Sequence, residues 1–186
     1  MKKSSLLSMA GAVLALAAAS AHAAQSCDRA CLEDMVERYF DAVIANDPSM
    51  VPLSPNVRFT EDGQRLWIGD GLWNTAKGKG KYRLFVTDVP AGQVAVLATI
   101  QEDHRDADNF NGSLIALRLR VQDRQITEIE QIVFRFPNDT GEAHNRTYNR
   151  VDAMATHPLY LQEIPAGERL SRSELIIQGN KYFTGL

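Results

Sequence analysis

An Asp-Gly pair between two β-like runs constrains this chain more than any other feature. Asn56 to Glu61 alternates Val57 and Phe59 against Arg58 and Thr60, Asp62-Gly63 follows, and Gln64 to Ile68 returns. Alternation at period two marks a half-buried strand, and Asp-Gly suits the positive-φ positions of a tight hairpin turn. A hairpin alone is only marginally stable in water, so this one calls for a larger sheet. Gly69 and Gly71 then bracket Asp70, which predicts a sharp bend, and Leu72 to Ala76 is short enough for one helical turn.

The rest of that sheet is expected downstream. Gly78 and Gly80 flank lysines in what reads as a loop. Lys81 to Thr87 reads as a strand, Pro90-Ala91-Gly92 as a turn and Gln93 to Gln101 as a long strand. Glu102 to Gly112 reads as a polar loop. Ser113 to Val121 alternates Leu117, Leu119 and Val121 against Arg118 and Arg120, and Gln122-Asp123-Arg124 turns the chain. Gln125 to Phe136 is expected to close the meander with Ile126, Glu128, Glu130 and Ile132 on one face. Consecutive strands joined by short turns predict antiparallel pairing. Upstream, Asp28 to Asn46 places Leu32, Met35, Val36, Tyr39, Phe40 and Val43 on one helical face, and Asp47-Pro48 ends it.

The first 24 residues stand apart. Lys2 and Lys3 precede an uncharged apolar run from Leu6 to Ala19, and Ala21-His22-Ala23 is a small-x-small cleavage pattern. This is the signature of a secretory signal peptide, and the run is too short to span a bilayer. The mature chain is expected to begin near Ala24 or Gln25, secreted or periplasmic, with no membrane contact after cleavage. Lys2 and Lys3 are the only charged residues removed, so the net charge of −3 becomes −5. With the arginines scattered, that balance offers no basic surface for nucleic acid. Cys27 and Cys31 are the two cysteines, four apart at the start of the predicted helix. In an oxidising compartment they read as a bridge or as thiols that stay free or pair between chains. Glu102 to Asn109 mixes carboxylates with His104 but lacks the spacing of a calcium loop, so no metal is expected. His144 and His157 show no partner, and Asn138 and Asn145 head sequons that matter only in eukaryotic secretion.

Residues 25–136 thus form the expected domain, and 137–170, without sustained periodicity, an extended arm. Residues 171–186 begin a second amphipathic helix. Leu175, Tyr182, Phe183 and Leu186 match Leu32, Tyr39, Phe40 and Val43 at a constant offset of 143. The match reads either as two generic amphipathic helices or as the first helix of a second, similar domain.

Long helix, irregular segment, short hairpin and antiparallel meander, in that order, resemble the NTF2-like superfamily in its SnoaL-like and ketosteroid-isomerase-like branch. The residues that carry the resemblance are Met35 to Ala42, Pro55 to Gly63 and Gln125 to Glu130. The segments CDRACLEDMVERYFDAV and PNVRFTEDGQ…GDGLW also resemble a secreted family of this fold, whose longer members carry a second similar domain. The resemblance implies an α+β, cystatin-like cone, with the N-terminal long helix packed in a curved antiparallel sheet and a pocket at the open end. It also implies a homodimer through the sheet. Ketosteroid isomerases of this fold use a helix-one tyrosine, a hairpin carboxylate and a protonated acid on a later strand. Tyr39 and Glu61 match the first two positions, but Leu114 to Leu119 holds no acid where the third is expected.

The candidate catalytic residues are therefore Glu61 as general base, with Tyr39 and Arg58 stabilising developing negative charge. Trp67, Trp73, Tyr82, Arg118 and Glu130 are the candidate ligand-binding residues. Each also has a plain structural reading: Tyr39 and the tryptophans as core, Asp62 as the turn residue, Arg118 and Glu130 as a cross-strand pair. The expected function is a cofactor-free acid–base isomerase or lyase acting on a small cyclic or aromatic molecule. The alternative is a non-catalytic small-molecule binder or interaction domain.

Overall fold

The computed structural model describes residues 26–102, 111–135 and 148–185. The signal-peptide pattern, most of the mixed acidic loop after Glu102, both sequons, His144 and Leu186 lie outside them.

Helix α1 spans Arg29–Ala45. The Asp28 carboxylate caps it by accepting the Cys31 N–H at 2.9 Å, and Asn46 ends it at φ 50°. Cys27 and Cys31 are disulfide-bonded, with their Cα atoms 5.2 Å apart. The bridge and the cap thus fix the same turn. Leu32, Met35, Val36, Tyr39, Phe40 and Val43 are all buried, as the periodicity predicts.

The strands are β1 (Leu53–Glu61), β2 (Gln64–Arg65), β3 (Ala76–Asp88), β4 (Gln93–Glu102), β5 (Asn111–Gln122) and β6 (Gln125–Phe134). They form one sheet in the order β2-β1-β6-β5-β4-β3. All neighbours are antiparallel except β1 and β6, which run parallel. The meander β3 to β6 is local in sequence, and β1 reaches it by pairing with the last strand. α1 lies across the inner face, chiefly on β3 and β4. Helix α2, Leu72–Thr75, closes the hairpin end of that face with Leu72 and Trp73 buried. Past the sheet come short helical turns at 148–152 (α3) and Pro158–Leu161 (α4), then α5, Arg172–Thr184.

Several expectations need correction. The hairpin turn forms at Asp62 (φ 50°) and Gly63 (φ 78°), but its return strand is only Gln64–Arg65. Residues 66–71 instead bend over the inner face. The glycine–lysine stretch is not a loop but the first part of β3, paired to β4 with two register shifts. Gly80 permits this, because a Cβ there would collide with Thr99 and the Asp152 carboxylate. A bulge between β5 and β6 pairs Arg120 with Glu128 but Val121 with Ile126. One extra residue flips the alternation. Ile126 therefore sits in the core with Ile129, whereas Glu130 and Ile132 face outward. The arm is not simply extended: α3 docks on the outer face, where Asp152 accepts from the Thr99 hydroxyl and the Lys81 N–H.

Candidate functional site

Strand alternation decides what β1 offers to the interior. Phe59 and Glu61 point inward and are buried, so Arg58 and Thr60, which alternate with them, face the other way. The Arg58 side chain is half exposed, 4.0 Å from Glu128 on the outer face. Arg58 is thus not positioned to assist Glu61.

Glu61 is held on all sides. Its Oε2 accepts the Leu72 N–H at 2.8 Å and the Gln131 side-chain amide at 2.8 Å. Its Oε1 faces both terminal nitrogens of Arg135 at 3.4 Å. Gly71, at φ 62°, presses against the same carboxylate, and a Cβ there would collide with it. Glu61 therefore pins the hairpin's closing loop to the sheet. The other face of Gln131 meets Tyr39, whose hydroxyl donates to Oε1 at 2.9 Å. Tyr39 is fully buried, edge-on to Trp73 with ring centroids 5.6 Å apart. Burial, reinforced by the Glu61 charge, pushes the Tyr39 hydroxyl far above its ordinary pKa, so it remains a donor. Among the described residues the buried Trp73 indole N–H has no hydrogen-bond partner.

A second carboxylate, which the sequence reading left in a polar loop, shares this chamber. Glu102 ends β4 with no exposed surface. It accepts from Arg135 Nε at 2.9 and 3.0 Å and from the hydroxyls of Ser113 and Thr75. Burial alone would raise its pKa, but the guanidinium and the two hydroxyls outweigh that and hold it below the usual carboxylate range. Arg135, one-third exposed, thus joins Glu61 to Glu102. The connected chain is Tyr39–Gln131–Glu61–Arg135–Glu102. Alternation could have found Glu102, which continues the inward series Val94, Val96, Ala98, Ile100. Gln131 was hidden by the β6 bulge. Arg135 lies beyond the last strand, where no periodic signal exists.

The candidate ligand-binding residues do not converge. Trp73 is core. Trp67 is 84% exposed and lines a cavity of about 410 Å³ with Pro55, Val57, Arg65, Leu66 and Ile68. That hairpin cavity lies on the face of β1 that also carries Phe59 and Glu61. Tyr82, Arg118 and Glu130 lie on the outer face instead. They line two adjoining hollows of about 220 and 250 Å³ that share Leu97, Ala116 and Ile132. Arg118 is committed to Glu130 at 2.7 Å and Glu128 at 2.8 Å, the cross-strand pairing of its structural reading. Among the described residues no cluster of His, Cys, Asp and Glu could hold a metal ion, and no helix is long and apolar enough to cross a membrane.

A family model described as Domain of unknown function (DUF8021) matches residues 25–133. The chain belongs to DUF8021. The match covers α1 and nearly all of the sheet and stops before α3 to α5. No curated protein matches the DUF8021 chain in sequence. Among solved structures, AusH from Aspergillus nidulans aligns at a TM-score of 0.51 and 13% identity, over 64% of this chain and 95% of its own. A protein of unknown function with cystatin-like fold from Methylobium petroleophilum PM1 aligns at 0.46 and 18%, over 76% and 99%. A proposed polyketide cyclase from Xanthomonas campestris pv. campestris aligns at 0.44 and 13%, over 56% and 90%. At such identities the likeness shows the fold alone: a helix packed on one curved, six-stranded sheet of an α+β domain. Such folds host unrelated functions, so function must be argued from the site.

Proposed function

We propose that this DUF8021 chain is an exported small-molecule-binding domain. It takes a compact cyclic or aromatic ligand in the hairpin cavity, against Trp67. The observation that carries this reading is the cavity itself. Its volume of about 410 Å³ falls within the range of small-ligand pockets, and its lining is apolar apart from Arg65. Trp67 offers a ring face at the rim, and Arg65 suits a ligand bearing a carboxylate or another acceptor. The leader pattern and the Cys27–Cys31 bridge support export. The test is calorimetric titration with 2-naphthoate. Saturable binding is expected, abolished by Trp67→Ala and weakened about tenfold by Arg65→Ala. Equal affinity for wild type and Trp67→Ala would end the proposal.

A second reading, acid–base turnover, is favoured by one observation: Tyr39, Gln131 and Glu61 form an unbroken hydrogen-bonded chain. Glu61 Oε1 is its least committed atom, at 3.4 Å from Arg135. In this reading Glu61 abstracts a proton beside a carbonyl, and Arg135 takes the role sought for Arg58. Against it, every Glu61 contact is also a structural one. Turnover that survives Glu61→Gln in folded protein would exclude Glu61 as the base.

A further inference from the structure

The hairpin cavity has two walls of different kinds. Pro55 and Val57 belong to β1 and are fixed by the sheet, whereas Leu66, Trp67 and Ile68 belong to the loop 66–71 that bends over them. Where Trp67 stands therefore depends on what ties that loop down. At its start the Leu66 N–H donates to the Phe59 carbonyl at 3.2 Å. At its far end the Leu72 N–H donates to Glu61 Oε2 at 2.8 Å, and Gly71 lies against the same carboxylate. Gly69 (φ 101°) and Gly71 (φ 62°) supply the bends between, at angles other residues rarely adopt. Phe59 and Glu61 are successive inward residues of β1, so the end of one strand holds both ends of the loop. The first tie is a backbone bond, indifferent to residue type. The second hangs on one side chain.

We propose, resting on the hairpin cavity as the ligand site, that Glu61 is the positioning residue for ligand retention. Its Oε2 latches the loop, and the latch keeps the Trp67 wall closed on a bound ligand. Glu61 divides its contacts by atom. Oε2 accepts the Leu72 N–H and the Gln131 amide, each at 2.8 Å, while Oε1 faces Arg135 at 3.4 Å. Reach and charge are thus separable. Glu61→Gln keeps an oxygen at the latch and gives up the charge. Glu61→Asp keeps the charge but withdraws the carboxylate by one bond, about 1.5 Å, beyond hydrogen-bond distance of the Leu72 N–H. A latch needs the reach, whereas a general base needs the ionisable group, so the two substitutions tell the roles apart. Gly71→Ala releases the latch from the loop side, because its Cβ would collide with the Glu61 carboxylate. A bound ligand leaves when the wall opens, so the latch acts on dissociation more than on association.

The experiment is stopped-flow fluorescence with 2-naphthoate on the leader-free chain, alongside hydrogen exchange of the Leu72 amide followed by NMR without ligand. Circular dichroism checks that each variant is folded, and Glu61→Asp and Gly71→Ala each carry the test if the other does not fold. In Glu61→Gln the ligand off-rate is expected within about threefold of wild type. In Glu61→Asp and Gly71→Ala it should rise at least about tenfold, with a smaller change in the on-rate. The ligand-free Leu72 amide should exchange at least about tenfold faster in those two variants and near the wild-type rate in Glu61→Gln. A wild type that binds no 2-naphthoate would overturn the cavity reading, while the exchange rates would still decide the latch. Leu72 exchange unchanged in Glu61→Asp and Gly71→Ala would overturn the latch whatever the ligand does. So would retention lost in Glu61→Gln and kept in Glu61→Asp, the pattern of a residue that acts by its charge.

Discussion

Asp28 and Ser171 cap their helices alike, each side chain accepting the N–H three residues on. The helices they open share Arg29 and Arg172, Leu32 and Leu175, Tyr39 and Tyr182, Phe40 and Phe183 at one offset. In α1 the leucine and the two aromatics are at most 1% exposed; in α5 they are 58–83% exposed. The helices part where α1 has Met35, Val36 and Ala42 and α5 has Gln178, Gly179 and Gly185. Those changes narrow the apolar stripe of α5, and Gly185 caps it at φ 80°. The two helices open on the same kind of cap. Whether a helix becomes core depends on a surface that its own sequence does not contain.

The widest predicted gap follows directly. Phe40→Ala should cost about 3–5 kcal/mol, the usual range for a buried phenylalanine. Phe183→Ala should change the stability of dilute protein by less than about 0.5 kcal/mol. Chemical denaturation of both variants measures the gap, and equal losses would erase the distinction between the helices.

Next comes the polar seam beneath α1. Glu102→Gln should cost about 3 kcal/mol, the lower end for breaking a buried pair because Arg135 is partly exposed. Glu102 also gives the seam a pH signature. Its pKa is depressed in the folded state. Its stabilisation is therefore complete above the unfolded value of ~4.3 and is lost as pH falls through the lower folded value. Acid denaturation of wild type should be steeper below about pH 4 than that of Glu102→Gln.

The caps give a finer test. Asp28→Ala should lower domain stability by about 1 kcal/mol, whereas Ser171→Ala should reduce helix content without moving the domain's unfolding midpoint. The smallest effect belongs to the outer face. Arg118→Ala should cost no more than about 1 kcal/mol, and less in high salt.

The sequence made the regular parts legible, for reasons the structure explains. α1 keeps one period from Leu32 to Val43, and the Asp62-Gly63 turn forms where its residue types demand positive φ. Legibility failed wherever the period was broken. The bulge in β6 reversed the facing of Glu130 and Ile132. Gly78 and Gly80 read as loop because their role, close approach to β4 and α3, leaves no local trace. In the site, Tyr39 sits on the core face of α1 as its periodicity indicates, and the alternation of Val57 and Phe59 continues to Glu61, which the structure has inward. Arg58 failed by the alternation that places Glu61. Glu102 was missed because its charge read as the start of a polar loop although it continues the inward series of β4, and Arg135 because it lies past the last strand, where no period marks it.

Distance in sequence also bears on how the domain forms and opens. β3 to β6 can assemble from neighbours joined by short turns, but Gln131 and Glu61 are 70 residues apart when they meet. Loop closure of that length is slow relative to hairpin formation. The closing contact also brings two carboxylates to a single arginine. The parallel seam of β1 on β6 is therefore the high-contact-order step of this fold. It is also where transient opening should expose amides to hydrogen exchange before the meander does.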